Sequence, residues 1–298
     1  MSIMRSWLYV ALTVSVATAG PAIAQGRTAK INGETLYYEV NGQGPALVLI
    51  HGWSLNLRMW DPQARALGRR FKVIRYDRRG FGKSTGSEDI SWDAADLAAL
   101  LDSIGVGSVH VLGMSQGGQI ALQFVRDFPE RATSLVLHST SPPPGFPLPF
   151  TGPDRTRFDE WTKIAREQGM DAFRRTWSEH PLMRVPVGRA AVTARRDAIL
   201  ATYRGGRLLR PVEPSGPIKP ANFDDFPKIE APTLVIVGEK EVPFLQMTAR
   251  VLSYYIPKAR LEIVPGGGHM VNLIEPDRYN AAVLKFLDGV VVRRGKSQ

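Results

Sequence analysis

Short apolar runs alternate with longer stretches of helical period along most of this chain. The runs fall at 28–31, 35–40, 46–50, 72–76, 108–112, 134–138, 233–237 and 261–264. Each has strand length. Most are apolar at successive positions instead of alternating with polar residues, which predicts strands buried on both faces and therefore mostly parallel pairing. Asn32-Gly33 between the first two runs marks a tight hairpin, so the sheet should have an antiparallel edge. Helical patterns separate the later runs. One covers 92–104, with Asp93 and Asp96 early, where negative charge suits the helix dipole. Another covers 119–127, and a third opens near Pro276. The alternation predicts an α/β domain with a mostly parallel central sheet covered by helices on both faces.

The alternation breaks once. Ser141-Pro142-Pro143-Pro144-Gly145-Phe146-Pro147 leads away from the sheet, and Arg210-Pro211-Val212-Glu213-Pro214 leads back. Between them 154–168, 170–179 and 187–203 read as helices. This predicts a helical cap at 141–225, inserted into a core made of 25–140 and 226–298. No internal repeat is present.

The first residues read differently. Arg5 precedes an apolar segment, Gly20-Pro21 breaks it, and Ala22-Ile23-Ala24 supplies a small-residue cleavage pattern. That is the pattern of a secretory signal peptide over 1–24, cleaved after Ala24. The segment is short against the about 20 residues a bilayer span needs, so no membrane span is expected after cleavage. The mature protein is expected to be exported, to a bacterial periplasm or beyond. There are no cysteines, hence no disulfides, thiolate metal sites or lipoprotein attachment residue. No Cys/His cluster has zinc-like spacing, and no G-x-G-x-x-G follows a first parallel-type strand. The net charge is +10. Arg184, Arg189, Arg195, Arg196, Arg204, Arg207 and Arg210 share one cap segment with a single acid, Asp197. These arginines read as a solvated helix face, with an anionic substrate or contact with an anionic surface as sharper alternatives. No nucleic-acid-binding module is recognisable, so no nucleic-acid partner is expected.

Chemistry is signalled by Gly113-Met114-Ser115-Gln116-Gly117-Gly118, placed after one apolar run and before a helical pattern. Strand, sharp turn, serine and helix form a nucleophile elbow, in which glycines flank the serine because side chains there would strike the neighbouring strand and helix. A serine hydroxyl needs a base in hydrogen-bond reach, and the base needs an orienting acid. Of the five histidines, His110 and His138 lie inside strand runs, His51 reads as a structural residue of its loop, and His180 precedes Pro181 in a surface loop. His269 follows three glycines after the last strand run and is the candidate base. The acid should follow the strand at 233–237, where Glu239 and Glu241 compete; Glu241 is chosen and Glu239 read as a solvated charge. The exit loop His138-Ser139-Thr140-Ser141 offers no carboxylate. The oxyanion donors should be the backbone N–H groups of Gln116 and Trp53. Trp53, Met114, Phe146, Trp161 and Met270 are candidate pocket residues.

Four segments together resemble the α/β-hydrolase superfamily over nearly the whole chain from about Thr28: His51-Gly52-Trp53, Tyr76-Asp77-Arg78-Arg79-Gly80-Phe81-Gly82-Lys83-Ser84, the elbow, and Gly267-Gly268-His269. The resemblance implies that 76–84 is a structural loop. It also implies an acid at the position of Glu241, where most members carry Asp. The segment Leu57-Arg58-Met59-Trp60-Asp61-Pro62-Gln63 is similar to 3-oxoadipate enol-lactonases and related small esterases. Ser115 sets the chain apart from haloalkane dehalogenases and epoxide hydrolases, which use Asp at the elbow. The expected activity is hydrolysis of a small ester or lactone through an acyl-enzyme, without a cofactor. Enol-lactone opening, carbon–carbon bond hydrolysis and cofactor-free perhydrolysis use the same machinery. A non-catalytic ligand-binding protein on this fold is the alternative of another class.

Overall fold

The computed structural model describes residues 25–143 and 158–295. The expected leader at 1–24 and the pocket candidate Phe146 lie outside these residues. One sheet of eight strands runs in the order β1-β2-β4-β3-β5-β6-β7-β8. The strands are β1 (Arg27–Ile31), β2 (Glu34–Asn41), β3 (Ala46–Ile50), β4 (Lys72–Tyr76), β5 (Val109–Met114), β6 (Ala132–His138), β7 (Thr233–Gly238) and β8 (Ala259–Val264). The pairs β1–β2 and β2–β4 are antiparallel; the remaining pairs are parallel. Asn32 and Gly33 both have positive φ, at 46° and 83°, as a two-residue hairpin of matching twist requires.

Unbroken apolar runs arise because each central strand serves two cores. Leu47 and Leu49 of β3 face one hydrophobic cluster, whereas Val48 and Ile50 face the other. The same division separates Leu112 from Val111 on β5, and Ile236 from Val235 on β7. Helices α1 (Asp61–Leu67) and α9 (Pro276–Gly295) cover the first face. Helices α2 (Ile90–Ser103) and α3 (Gln116–Asp127) cover the second, joined there by α8 (Pro243–Tyr255). Burial of each such aliphatic side chain contributes about 1.5–3 kcal/mol.

Between β6 and β7 the described chain forms α4 (Phe158–Glu167), α5 (Met170–Glu179), α6 (Ala190–Ala201) and the single turn α7 (Gly206–Leu209). Trp161, Phe173, Trp177 and Leu208 of these helices merge with the first core cluster. Much of the arginine content of this region is tied down. Arg195 pairs with Asp61 at 2.8 Å, Arg189 with Glu275, and Arg204 donates to the carbonyls of Gly80, Gly82 and Ser84. The expected solvated basic face is therefore in part a set of ties between the helical insertion and the sheet domain.

The segment after β4 is structural, as the resemblance implies. Asp77 accepts from Leu57 N at 2.9 Å and Lys83 N at 2.8 Å. A Cβ at Gly82 (φ +50°) would sit 2.2 Å from the Asp77 carboxylate. Arg78 and Asp93 form a buried pair at 2.7 Å, and Arg79 pairs with buried Asp96 at 2.8 Å. Among the described residues no helix is long and apolar enough to cross a membrane.

Candidate active site

Ser115 stands between β5 and α3 with φ 56° and ψ −119°. For a residue with a Cβ this is strained backbone, costing about 1–3 kcal/mol, and it persists only where surroundings enforce it. The enforcement is visible in the glycines. A Cβ on Gly113 would lie 2.1 Å from Gly117 O, one on Gly117 would lie 2.3 Å from Ile50 O, and one on Gly118 would lie 2.1 Å from Thr140 Oγ1. Strand, helix and the β3 and β6 exits thus close on the turn and leave the serine side chain facing outward. The helix starts at Gln116, three residues earlier than its apolar periodicity suggests, so its first turn lies beside the serine, with Gly118 N donating to Ser115 O at 2.9 Å.

The β7 and β8 exits are interlocked. Glu239 N donates to Val264 O at 2.9 Å and Lys240 N to Gly267 O at 2.8 Å. Gly238 is so close to the second loop that a Cβ would meet Gly267 O at 2.3 Å. This contact brings Glu241 to His269. His269 Nδ1 lies 2.8 Å from Glu241 Oε2, and both side chains are buried. Glu241 Oε1 accepts from Val242 N at 2.8 Å, so both carboxylate oxygens are engaged. With Nδ1–H directed at the carboxylate, the imidazole keeps Nε2 as its acceptor. Glu239 is exposed, and its carboxylate accepts from Gly266 N at 3.0 Å.

Ser115 and His269 line one cavity of about 380 Å³. Trp53 and Met114 line it too, as the sequence suggests. Trp161 and Met270 do not appear among the described lining residues. Trp161 is buried behind the wall, its ring stacked on Trp53 at 5.5 Å. Met270 is fully buried in the first core cluster; the chain's turn after His269 carries it inward. The cap contributes Phe158, Trp177, Leu182, Met183 and Arg207 to the lining.

Ser141, in the exit loop that offers no carboxylate, also touches the nucleophile. Its Oγ lies 3.2 Å from Ser115 Oγ, and its N–H donates to Ser115 O at 3.2 Å. The sequence signal available was its position in a strand-exit loop at the same sheet edge. The other histidines are held elsewhere in the fold, except that His138 lies close to His269. His51 Nδ1 donates to Gly52 O at 2.8 Å and Nε2 accepts from Arg78 N at 3.0 Å. Burial, then the nearby Arg78 charge, pushes its pKa well down, so the ring is neutral and fixes the Trp53 loop. His110 bonds Ser134 at 2.8 Å. His138 is buried, its pKa pushed well down by burial and then by His269. His180 is less exposed than a surface loop suggests: it closes α5 and stacks on Trp177 at 4.8 Å.

The Trp53 side chain joins the cap to this edge. Phe158, Phe173, Trp177 and Tyr203 contact its ring at centroid distances of 4.9, 6.0, 5.3 and 5.5 Å. Its Nε1 donates to Glu88 Oε2 at 3.3 Å, and the Tyr203 hydroxyl donates to the same oxygen at 3.2 Å. Burial raises the Glu88 pKa against the opposing effect of those bonds. Nothing in the apolar patterning marks Glu88, because its partners are remote in sequence.

A strained serine on a glycine elbow, a buried carboxylate–histidine pair and a mostly parallel sheet carrying both at one edge define a hydrolase of the α/β-hydrolase fold. The family model described as alpha/beta hydrolase fold matches residues 45–276, and the chain belongs to that family. A Synechocystis sp. protein provisionally named a non-heme chloroperoxidase is 32% identical over 265 residues, covering 85% of this chain and 94% of its own. Among solved structures, a thermophilic esterase from Thermogutta terrifontis has a TM-score of 0.75 at 25% identity, covering 90% of this chain and 99% of its own. A bromoperoxidase from Bacillus anthracis has a TM-score of 0.75 at 26% identity, covering 89% of this chain and all of its own (100%).

Proposed function

We propose that the protein is an exported serine hydrolase that cleaves a carboxylic ester of a small molecule through an acyl-enzyme. The observation carrying this reading is the buried Glu241–His269 pair, whose histidine lines one cavity with the strained Ser115. Ser115 Oγ attacks the ester carbonyl as His269 Nε2 takes its proton. Glu241 holds the imidazole in the required tautomer and offsets the charge it gains. The N–H groups of Trp53 and Gln116 receive the oxyanion. His269 returns the proton to the leaving alcohol, and water then repeats the sequence to release the acid.

Perhydrolysis is the second reading, favoured by the names of the chloroperoxidase and bromoperoxidase relatives. Here hydrogen peroxide replaces water in the second half and the product is a peracid. Lactone opening and carbon–carbon bond hydrolysis would use the same three side chains. Export rests on the leader pattern at 1–24. Contact of the cap arginines with an anionic surface is the weaker part of the reading, since Arg189, Arg195 and Arg204 are engaged within the protein.

The test is a fluorophosphonate probe with p-nitrophenyl butyrate turnover measured alongside. The wild type is expected to be labelled at Ser115 and to hydrolyse the ester, while Ser115→Ala, folded by circular dichroism, does neither. An unlabelled wild type would favour the ligand-binding alternative. A labelled and active Ser115→Ala protein would remove the mechanism.

A further inference from the structure

We propose that Arg207 is the anion-recognition residue of the cavity, and that the favoured substrates are small esters carrying a free carboxylate away from the scissile bond. This rests on the hydrolase reading above and assigns its substrate class.

Arg207 is the one permanently charged side chain among the described residues that line the cavity with Ser115 and His269. The surrounding wall includes Leu55, Leu182, Met183, Phe244 and Leu245. Its guanidinium carbon sits 4.4 Å from the Phe158 ring centroid. A guanidinium over an aromatic face gains a cation–π attraction that uses none of its N–H donors, so these stay available to a planar anion. The neighbouring arginines differ in this respect. Arg195 has Asp61, Arg204 has three carbonyls, and Arg196 donates to the carbonyls of Ser178 and Met183. Among the described residues no side-chain or main-chain oxygen accepts from the Arg207 guanidinium.

Its base is also fixed. Gly206 lies so close to the buried Glu88 carboxyl that a Cβ would stand 2.4 Å from Oε1. The single turn α7 is thus seated on the β4–α2 connection, and the Arg207 side chain extends from an anchored point. A guanidinium matches a carboxylate with two parallel N–H···O bonds. One guanidinium balances one carboxylate charge, whereas a phosphate carries about −1.5 to −2 and would leave negative charge uncompensated beside an apolar wall. The cavity volume is that of a small-molecule site, so anion and scissile carbonyl belong to one short substrate.

The experiment compares kcat/KM for the mono-ethyl esters of succinate, adipate and suberate with those of neutral ethyl esters of matched length. The wild type is expected to prefer the carboxylate-bearing ester at one or more lengths. Arg207→Gln should lower that preference on the order of tenfold, the modest size reflecting an exposed charge. Arg207→Lys, which keeps charge but loses the planar fork, should fall between. General damage to the protein would lower both ester types together and leave the ratio unmoved; an unmoved ratio overturns the proposal, as does a wild type that prefers the neutral ester at every length. Binding is read separately from turnover. Mono-ethyl adipate should change the tryptophan fluorescence of the Ser115→Ala protein, and the affinity should weaken when Arg207→Gln is added. A protein that binds the half-ester through Arg207 but turns over no ester would retain the anion site and refute the hydrolase reading alone. Equal affinity with and without Arg207 would refute the anion site alone.

Discussion

Replacing Glu241 with glutamine changes little in shape and should nearly silence the enzyme. The carboxylate presents one oxygen to His269 Nδ1 at 2.8 Å and the other to Val242 N at 2.8 Å. The amide of Glu241→Gln keeps its oxygen on Val242 N–H and turns its NH₂ toward the imidazole. Nδ1 must then accept, the ring proton moves to Nε2, and the base can no longer take the Ser115 proton. The imidazolium also loses its counter-charge. With charge centres about 4 Å apart and an effective dielectric of about 20, that attraction is about 4 kcal/mol, or about three orders of magnitude in rate. Glu239→Gln is the control. Glu239 is exposed and its carboxylate accepts from a loop N–H, so labelling should stay within about threefold of wild type. The assay is the second-order rate of fluorophosphonate labelling of Ser115, which requires no knowledge of the natural substrate, with melting temperature recorded for each variant. If Glu241→Gln labels within tenfold of wild type while Glu239→Gln collapses, the acid has been assigned to the wrong carboxylate.

Two further outcomes are expected. Burial holds the Glu88 proton to a higher pH in the folded protein than in the unfolded chain, so in that interval the native state binds more protons and stability falls as pH rises. The contribution is intact below the ordinary value of 4.5 and lost as pH passes the raised native value. Glu88→Gln should therefore reduce the fall in melting temperature as pH rises above the ordinary value of 4.5. Asp77 and Asp93, also raised by burial, stay in both proteins, so parallel curves would rule out the Glu88 contribution. Export predicts that the intact mass of the protein from a periplasmic fraction corresponds to a chain starting at Gln25; a membrane-bound chain retaining Met1 would count against cleavage.

The parts of this molecule written in local periodicity were legible in its sequence. Strand positions, the Asn32-Gly33 hairpin and the elbow follow from apolar runs and from glycines that nothing larger can replace. The pairing of Glu241 with His269 was reachable because both sit in exit loops of strands already placed. What escaped the reading depends on partners distant along the chain. Glu39, Arg75 and Asp61 pair within the fold, as do Arg78 and Asp93, and no hydropathy pattern distinguishes a buried ion pair from two solvated charges. Trp161 escaped for a related reason. An aromatic residue at helical spacing packs inward in either case, and only the assembled helices decide whether ligand or another ring meets it. Helix α8 is announced locally by Pro243, a favourable first helical residue.

The Trp53 ring has a consequence for how substrates enter. Its backbone N–H belongs to the proposed oxyanion site, while its indole is enclosed by rings from α4, α5 and the α6–α7 connection. The insertion therefore cannot lift away as a hinged lid without pulling the residue that must stay still during catalysis. On that account substrate exchange takes place with the described part of the roof seated. Exchanging the whole roof for that of a relative would leave the indole without its enclosure. In this chain, substrate range is thus a property that changes one wall residue at a time.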